Sequence, residues 1–265
     1  MLNLFQYDFV VRGLIAGLII AIVAPTIGVF LVLKRYSLIA DTLSHVSLAG
    51  IAAGLLLGIN PLLTAIGATA VSSILIDKLR LSRKFYGESA LALFLSGSLA
   101  LAVVLIGISH GFNTSLLNYL FGSIATVTNS DIYTVSILGV IVLVILTIIY
   151  KELFFITFDE DSAKVSGIKV NAINTVFIIL AAITISLAIP IVGILLISAL
   201  LVIPTVASLQ FKKSLFPTIL IAQVISVLSV FSGIILSFYF NLAPGGSIVL
   251  ISLLILVISH VILQK

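Results

Sequence analysis

The sequence contains no cysteine, and this absence excludes disulfides, thiolate metal sites and catalysis by a thiol. Charge is also scarce, because Asp, Glu, Lys and Arg make up only 8% of the residues. Soluble domains typically carry about 25% charged residues, so a water-soluble fold of 265 residues could not cover its surface with so few. The composition therefore predicts a protein whose surface is solvated largely by lipid.

Motifs for nucleotide binding and hydrolysis are absent as well. The chain has no G-x-x-x-x-G-K-[ST] loop to cradle ATP phosphates, no H-E-x-x-H pair and no G-x-S-x-G turn. The segment Leu95–Ser98 (LSGS) has a faint likeness to an intramembrane serine protease, but Gly and Ser at helix interfaces usually serve packing. We therefore expect no enzymatic activity and no permanently bound cofactor.

The apolar residues that dominate the chain form blocks without Asp, Glu, Lys or Arg. Two of these blocks, Val170 to Phe211 and Ser214 to Gln264, are each long enough for two helical spans, since about 20 apolar residues cross a bilayer. The predicted fold is all-α, a polytopic transmembrane bundle of eight or nine spans in a single transmembrane domain, residues 1–265. The nine candidate crossings are Val11–Leu33, Ile39–Leu57, Leu62–Ile76, Ser89–Ser109, Ile132–Tyr150, Ala172–Ile189, Val192–Leu209, Leu215–Phe238 and Ser247–Leu263.

The basic residues lie in short clusters between these crossings, which is a mark of topology and not of nucleic-acid binding. If Lys34 and Arg35 are cytoplasmic, strict alternation leaves only Arg12 on the outer face and predicts an outer N-terminus and an inner C-terminus. The other residues placed inside are Lys78, Arg80, Arg83, Lys84, Lys151, Lys164, Lys169, Lys212, Lys213 and Lys265. The semi-polar outer connection, residues 110–131, could hold a short interfacial or re-entrant helix.

Glycine and proline predict close helix contacts and turns. Gly50, Gly54 and Gly58 recur every four residues, a spacing that allows two helices to approach closely. Asn60-Pro61 and Ile189-Pro190-Ile191 predict tight turns between neighbouring spans. We assign these residues to packing and chain direction.

Asp41 and His45 are the most informative ionisable residues. They are four residues apart and so share one helix face, about 9 and 15 Å along the helix from Arg35. Ionisable groups at that depth are costly and usually face a polar cavity or a partner, and zinc and manganese both accept oxygen and nitrogen ligands. Hydroxyls of Thr42, Ser44 and Ser47 are nearby. The alternative is that Asp41 caps the helix or neutralises a lysine, and that His45 is hydrogen-bonded within the bundle.

The segment from Phe158 to Ile168 is the only sizeable charged stretch, and the topology places it in the cytoplasm. Acidic residues from Asp159 to Asp161 suit the positive N-terminal end of a short helix, and Gly167 suits its end. A solvated loop is one interpretation. A docking helix for a soluble partner is the other.

These stretches together resemble the membrane permeases of the bacterial metal-importing ABC family (ABC-3 type). The likeness extends along essentially the whole chain, and the combination of the basic-to-D-x-x-x-H segment with the F-D-x-D/E-x-A segment is the specific part. The matching segments are Pro25–Leu38 (PTIGVFLVLKRYSL), Asp41–His45 (DTLSH), Thr157–Ala163 (TFDEDSA) and Gly193–Pro204 (GILLISALLVIP). In contrast, Asn241–Gly246 (NLAPGG) departs from the D-L-P-T-G form of many members, so no role is carried over for an acidic residue there.

The resemblance implies a homodimeric permease in the cell membrane, coupled to two cytoplasmic ABC ATPase subunits and an extracytoplasmic metal-binding protein. It implies transport by alternating access, metal handling at Asp41 and His45, and ATPase coupling through Asp159, Glu160, Ala163 and Gly167. The last three match an E-A-A…G pattern of importers. The segment D-T-L-S-H-V-S-L-A-G is most similar to the corresponding segment of zinc-importing members, so zinc is the expected cargo, with manganese or iron as alternatives.

Three other functions are compatible with parts of the pattern. In a secondary transporter, Asp41 and His45 would relay protons, and uptake would follow the proton gradient without an ATPase. In a membrane scaffold with no cargo, changes at both residues would be silent. A vitamin or siderophore permease of similar architecture would need a wider cavity and no D-x-x-x-H pair.

Overall fold

A computed structural model describes residues 6–81, 87–108 and 114–263 of the chain. Within these residues the secondary structure is helical, with a short 3₁₀ helix at Ile124–Thr126 and no strand. The α-helices in chain order are α1 (Asp8–Leu33), α2 (Ser37–Leu57), α3 (Pro61–Leu81), α4 (Gly87–Ile108), α5 (Thr114–Phe121), α6 (Asn129–Ile148), α7 (Tyr150–Phe158), α8 (Glu160–Val165), α9 (Val170–Val192), α10 (Ile197–Leu209), α11 (Leu215–Phe240) and α12 (Pro244–Leu263).

Eight of these helices are long and apolar enough to cross a membrane, which confirms the predicted all-α transmembrane bundle. They are α1, α2, α3, α4, α6, α9, α11 and α12. The short helix α5 and the 3₁₀ helix occupy the predicted outer connection. Of the predicted inner basic residues, Arg83, Lys84 and Lys265 lie outside the described part of the chain, and so does His110 in the outer connection.

The predicted count of eight or nine crossings depends on whether helix α10 is included. Its 13 residues rise about 20 Å, less than the roughly 30 Å of hydrocarbon in a bilayer. Nevertheless, the chain from the end of α9 to the end of α10 follows helix α12: Val192, the last residue of α9, packs against Gly245 at the start of α12, and Gln210 just after α10 accepts a hydrogen bond from Ser259. The described residues thus hold eight helices of membrane-crossing length, and α10 is a shorter apolar helix packed beside α12.

The core of the bundle is formed around α1 and α9, while α4, α6 and α12 expose most of their apolar side chains. Phe30 of α1 and Phe177 of α9 are fully buried with their ring centres 6.0 Å apart in an edge-on contact. Exposed leucine, isoleucine and valine cover the outer helices, as expected where lipid is the solvent. The central helices thus hold the bundle together, and the outer ones face lipid or another protein.

The turn predicted at Pro190 is wrong, because α9 continues through this proline to Val192. The chain reverses at Gly193, whose φ of 85° is a conformation that only glycine adopts readily. Gly193 also touches the backbone at Gly122, and the N–H of Ser123 donates to the carbonyl of Pro190. The outer connection therefore satisfies a backbone carbonyl at the end of α9.

Of the three glycines spaced four residues apart on α2, two lie at a close helix contact and one ends the helix. A Cβ at Gly50 would lie 2.8 Å from the Cα of Ala65, so α2 and α3 are in backbone contact there. Gly54 makes a similar approach to Pro61. Gly58 instead ends α2 with a φ of 68° and has no atom near its missing side chain, so this residue is a C-cap.

Candidate cation site and cytoplasmic helix

Asp41 and His45 lie one turn apart on α2, as their spacing predicted. The distance from His45 Nε2 to Asp41 Oδ1 is 4.0 Å, and the side chains are 18% and 45% exposed, respectively. The second ring nitrogen of His45, Nδ1, is buried without a hydrogen-bond partner. Buried polar atoms are normally satisfied, so an imidazole with one unpartnered nitrogen, whose other nitrogen faces a carboxylate, is an arrangement to which a cation could bind.

Among the described residues of this chain, the pair has no third candidate ligand beside it. Within residues 6–81, 87–108 and 114–263, no group of three or more His, Asp or Glu side chains lies close enough to hold a metal ion. The neighbouring cavity between α2, α3 and α4, about 690 Å³, is lined almost entirely by apolar groups and includes neither Asp41 nor His45. Within the described part of the chain, a single copy therefore supplies two candidate ligands, and the cavity next to them is apolar.

The hydroxyls near the pair do not extend the ligand set. Thr42 and Ser44 donate back to carbonyls of their own helix, at 2.9 and 2.7 Å. Ser47 belongs to a buried group with Thr69 of α3 and Ser186 of α9, in which Ser186 Oγ lies 2.8 Å from Thr69 and 3.2 Å from Ser47. These three hydroxyls connect α2 to two neighbouring helices and so fix the rotation of the helix that carries Asp41 and His45.

Helix α8 is the short helix that the charged segment predicted. Asp159 caps its N-terminus, since its carboxylate accepts hydrogen bonds from the side chain and the backbone N–H of Ser162. These hydrogen bonds lower the pKa of Asp159. Glu160 and Lys164 form an exposed ion pair at 2.8 Å across one turn. The charges at the start of α8 thus match the helix dipole, and the solvated-loop interpretation does not hold.

The end of α8 and its attachment to the bundle also follow from the sequence. Gly167 has a φ of 83° and nothing near its missing side chain, so the backbone turn, and not space, requires glycine. Ile168 N–H reaches back to the carbonyl of Ala163, which closes the helix in a Schellman-type turn. Ala163 is fully buried against Ile156 and Val170, so α8 is seated on α7 and α9.

Sequence reasoning missed a polar cluster at the inner ends of α1, α3 and α9. Lys34 donates a hydrogen bond to Asn174, and Thr175 donates one to the buried carboxylate of Asp77. Asp77 follows directly after a charge-free run, but nothing in the sequence indicates that α9 lies beside it. The cluster also brings the basic ends of α1 and α3 together, as the topology prediction requires.

The fold and the site define a multi-pass helical transport protein of the membrane, and the comparisons with known proteins give its family. The model of the ABC 3 transport family matches residues 6–263. The chain belongs to this family, which confirms the resemblance found in the motifs.

Named relatives cover nearly the whole chain. The manganese import system permease protein ScaB of Streptococcus gordonii is 32% identical over 263 residues, 99% of this chain and 94% of ScaB. The high-affinity zinc uptake system membrane protein ZnuB of Haemophilus influenzae is 30% identical over 254 residues, 96% of this chain and 97% of ZnuB. A structure of PsaBC from Streptococcus pneumoniae in complex with Fab has a TM-score of 0.87 at 30% identity, and the match covers 97% of this chain and 92% of that one.

Proposed function

We propose that this chain is the permease subunit of an ATP-driven importer of a divalent metal ion, and that Asp41 and His45 receive the ion during its passage. The observation that carries the proposal is the pair itself: a carboxylate beside an imidazole with an unpartnered, buried nitrogen, on a helix that spans the membrane. Ionisable groups in that setting are usually kept for function, because burying them is costly. The names of ScaB and ZnuB support a metal cargo.

Zinc is the cargo that we propose first. This preference rests only on the resemblance of the segment Asp41–Gly50 (DTLSHVSLAG) to zinc-importing members of the family. Manganese is the second candidate, because relatives named for manganese import are as similar to this chain as those named for zinc uptake. One carboxylate and one imidazole suit either ion, so the ligand types do not separate them.

A second copy of the chain would complete the ligand set. Two copies related by a two-fold axis would contribute two carboxylates and two imidazoles, which is sufficient for four-coordinate binding. The partial exposure of Asp41 leaves its carboxylate accessible from outside its own chain. We therefore propose a homodimer with the ion on or near its axis.

Helix α8 is the proposed contact with the ATPase subunits. It is short, capped at its start and rigidly seated through Ala163, while Glu160 and Lys164 remain exposed. In this proposal ATP hydrolysis in a separate cytoplasmic subunit moves α8, and an extracytoplasmic metal-binding protein delivers the ion to the outer side. The sparse ligand set suits transport, because an importer must release the ion that it binds.

Uptake into proteoliposomes tests this function. The permease is reconstituted with and without its ATPase subunits, and uptake of zinc, manganese and iron is measured for the parent chain, Asp41→Ala, His45→Ala and the control His260→Ala. We expect ATP-dependent uptake that both site variants abolish and the control retains. Normal uptake by both site variants would remove the site, and uptake that follows the proton gradient without ATPase would favour a secondary transporter.

A further inference from the structure

The short link between α1 and α2 is fastened to the inner end of α9. Lys34, the first residue of the link, is half-buried and donates a hydrogen bond to the side-chain oxygen of Asn174. Its ammonium nitrogen also lies 5.6 Å from the ring centre of Tyr36 and 5.8 Å from that of Phe177. Aromatic faces attract cations at such distances, so the positive charge of Lys34 contributes to this attachment.

The inner end of α3 joins the same cluster. The guanidinium carbon of Arg80 lies 3.9 Å above the ring centre of Tyr36, and Asp77, only 5% exposed, accepts a hydrogen bond from Thr175. Thr175 is the neighbour of Asn174, which binds Lys34. Adjacent residues of α9 thus hold the α1–α2 link and the end of α3.

The cluster lies beside the cytoplasmic helix α8. Ala163 of α8 is buried against Val170, the first residue of α9, and Asn174 is one turn further along α9. Burial lowers the pKa of Lys34 to about 8, and the attraction of the Glu160 carboxylate on α8 is the largest effect that opposes this shift. The other charges that act on Lys34 are those of Asp77, which raises its pKa, and Arg80, which lowers it. The link therefore responds to the position of α8 by contact and by charge.

The link is short, and a backbone hydrogen bond ties it to the end of α1. Arg35 has a φ of 58°, which is uncommon for a residue with a side chain, and Tyr36 N–H donates to the carbonyl of Leu31 at 2.7 Å. Tyr36 is also the N-cap residue of α2. Asp41 lies only five residues further on, so the base of α2 and its cation ligands follow the link.

We propose that Lys34 is a positioning residue that transmits movement of α8 and the start of α9 to α2, and thereby to Asp41 and His45. The proposal rests on the proposed function, because it assumes that an ATPase moves α8 and that the pair receives the cargo. The positive charge of Lys34 is the essential property, since it provides the attraction to the aromatic rings, to Asp77 and to Glu160.

The test uses the complete transporter, reconstituted with its ATPase subunits, and the variants Lys34→Gln and Lys34→Arg. Lys78→Gln is the matched control, because Lys78 is exposed near the same end of α3. Zinc binding, ATP hydrolysis and zinc taken up per ATP are measured at pH values below and above 8. We expect Lys34→Gln to bind zinc and hydrolyse ATP normally while uptake per ATP falls about tenfold, a usual size for coupling between sites. Lys34→Arg and Lys78→Gln should retain uptake.

The pH profile separates positioning from a merely structural role. Uptake by the parent chain should decrease as the pH rises through about 8 and Lys34 loses its charge, whereas Lys34→Arg, which stays charged, should lose this decrease. Unchanged uptake per ATP in Lys34→Gln, loss of zinc binding in that variant, or the same alkaline decrease in Lys34→Arg would each overturn the proposal. Failure of the proposed function itself would be recognised separately, by normal uptake in Asp41→Ala and His45→Ala.

Discussion

Replacing Gly50 by alanine should destabilise the contact between α2 and α3. The added Cβ would lie 2.8 Å from the Cα of Ala65 and 2.9 Å from the carbonyl oxygen of Thr64, and backbone atoms cannot rotate away as a side chain can. Overpacking of this kind typically costs about 1–3 kcal/mol, and we expect the upper part of this range. Alanine gains about 1 kcal/mol over glycine in helix propensity, which leaves a net loss of about 1–2 kcal/mol.

Gly67→Ala is the matched control for this prediction. Gly67 is also helical and in the membrane, but a Cβ there would meet no atom within 4 Å, so alanine should stabilise by about 0.5–1 kcal/mol. Thermal unfolding in detergent, followed by far-ultraviolet circular dichroism, measures both variants. At roughly 2–4 °C per kcal/mol, the midpoint should fall by roughly 2–8 °C for Gly50→Ala and rise by roughly 1–4 °C for Gly67→Ala. Equal shifts of the same sign would refute the inferred backbone contact.

Two further predictions concern the hydroxyl group on α2 and the cap of α8. Thr69→Val removes a buried hydrogen bond to Ser186 and should cost about 0.6–2 kcal/mol in detergent unfolding, whereas Thr147→Val, at an exposed hydroxyl bonded only to its own helix, should be nearly neutral. A matching loss in both variants would contradict a role of the hydroxyl group in joining the helices. Asp159→Ala should increase amide hydrogen exchange in α8. Hydrogen bonds from Ser162 lower the pKa of Asp159, so in the parent chain the cap should persist as the pH falls and should be lost only at a pH below the usual pKa of an aspartate. Unchanged exchange in Asp159→Ala would argue that Ala163 alone holds the helix.

The fold was largely predictable because its main signals are local. Charge-free blocks mark the spans, since hydrocarbon excludes charged side chains, and the basic clusters mark their cytoplasmic ends. The capped helix α8 was equally predictable, because its acidic start and Gly167 lie within one short segment. These features depend on nearby residues and on the solvent, and not on which helices become neighbours.

The misplaced turn at Pro190 shows where local signals fail. A proline normally interrupts a helix, but α9 continues for two residues past Pro190, and the outer connection contacts this end of the helix through a hydrogen bond from Ser123 N–H to the Pro190 carbonyl. The two residues are far apart in sequence, so the tertiary contact could not be foreseen from either segment. Gly193, whose backbone conformation requires glycine, is the actual reversal point.

The relative placement of the two candidate ligands could be predicted from the sequence, but the residues that hold their helix in place could not. The spacing of Asp41 and His45 sufficed to place them on one face of α2. In contrast, the partners Asn174 of Lys34 and Ser186 of Thr69 come from α9, about a hundred or more residues away in sequence. Single polar residues in apolar spans give no indication of their partner until the helix packing is known.

X-ray absorption spectroscopy of the zinc-loaded permease tests the central claim most directly. The spectrum should show imidazole nitrogen and carboxylate oxygen bound to the zinc ion. Bound zinc should be lost from Asp41→Ala and from His45→Ala, while His260→Ala should keep the parent spectrum. Zinc that remains bound with an unchanged imidazole contribution in His45→Ala would place the ion elsewhere and would contradict a cation path over α2.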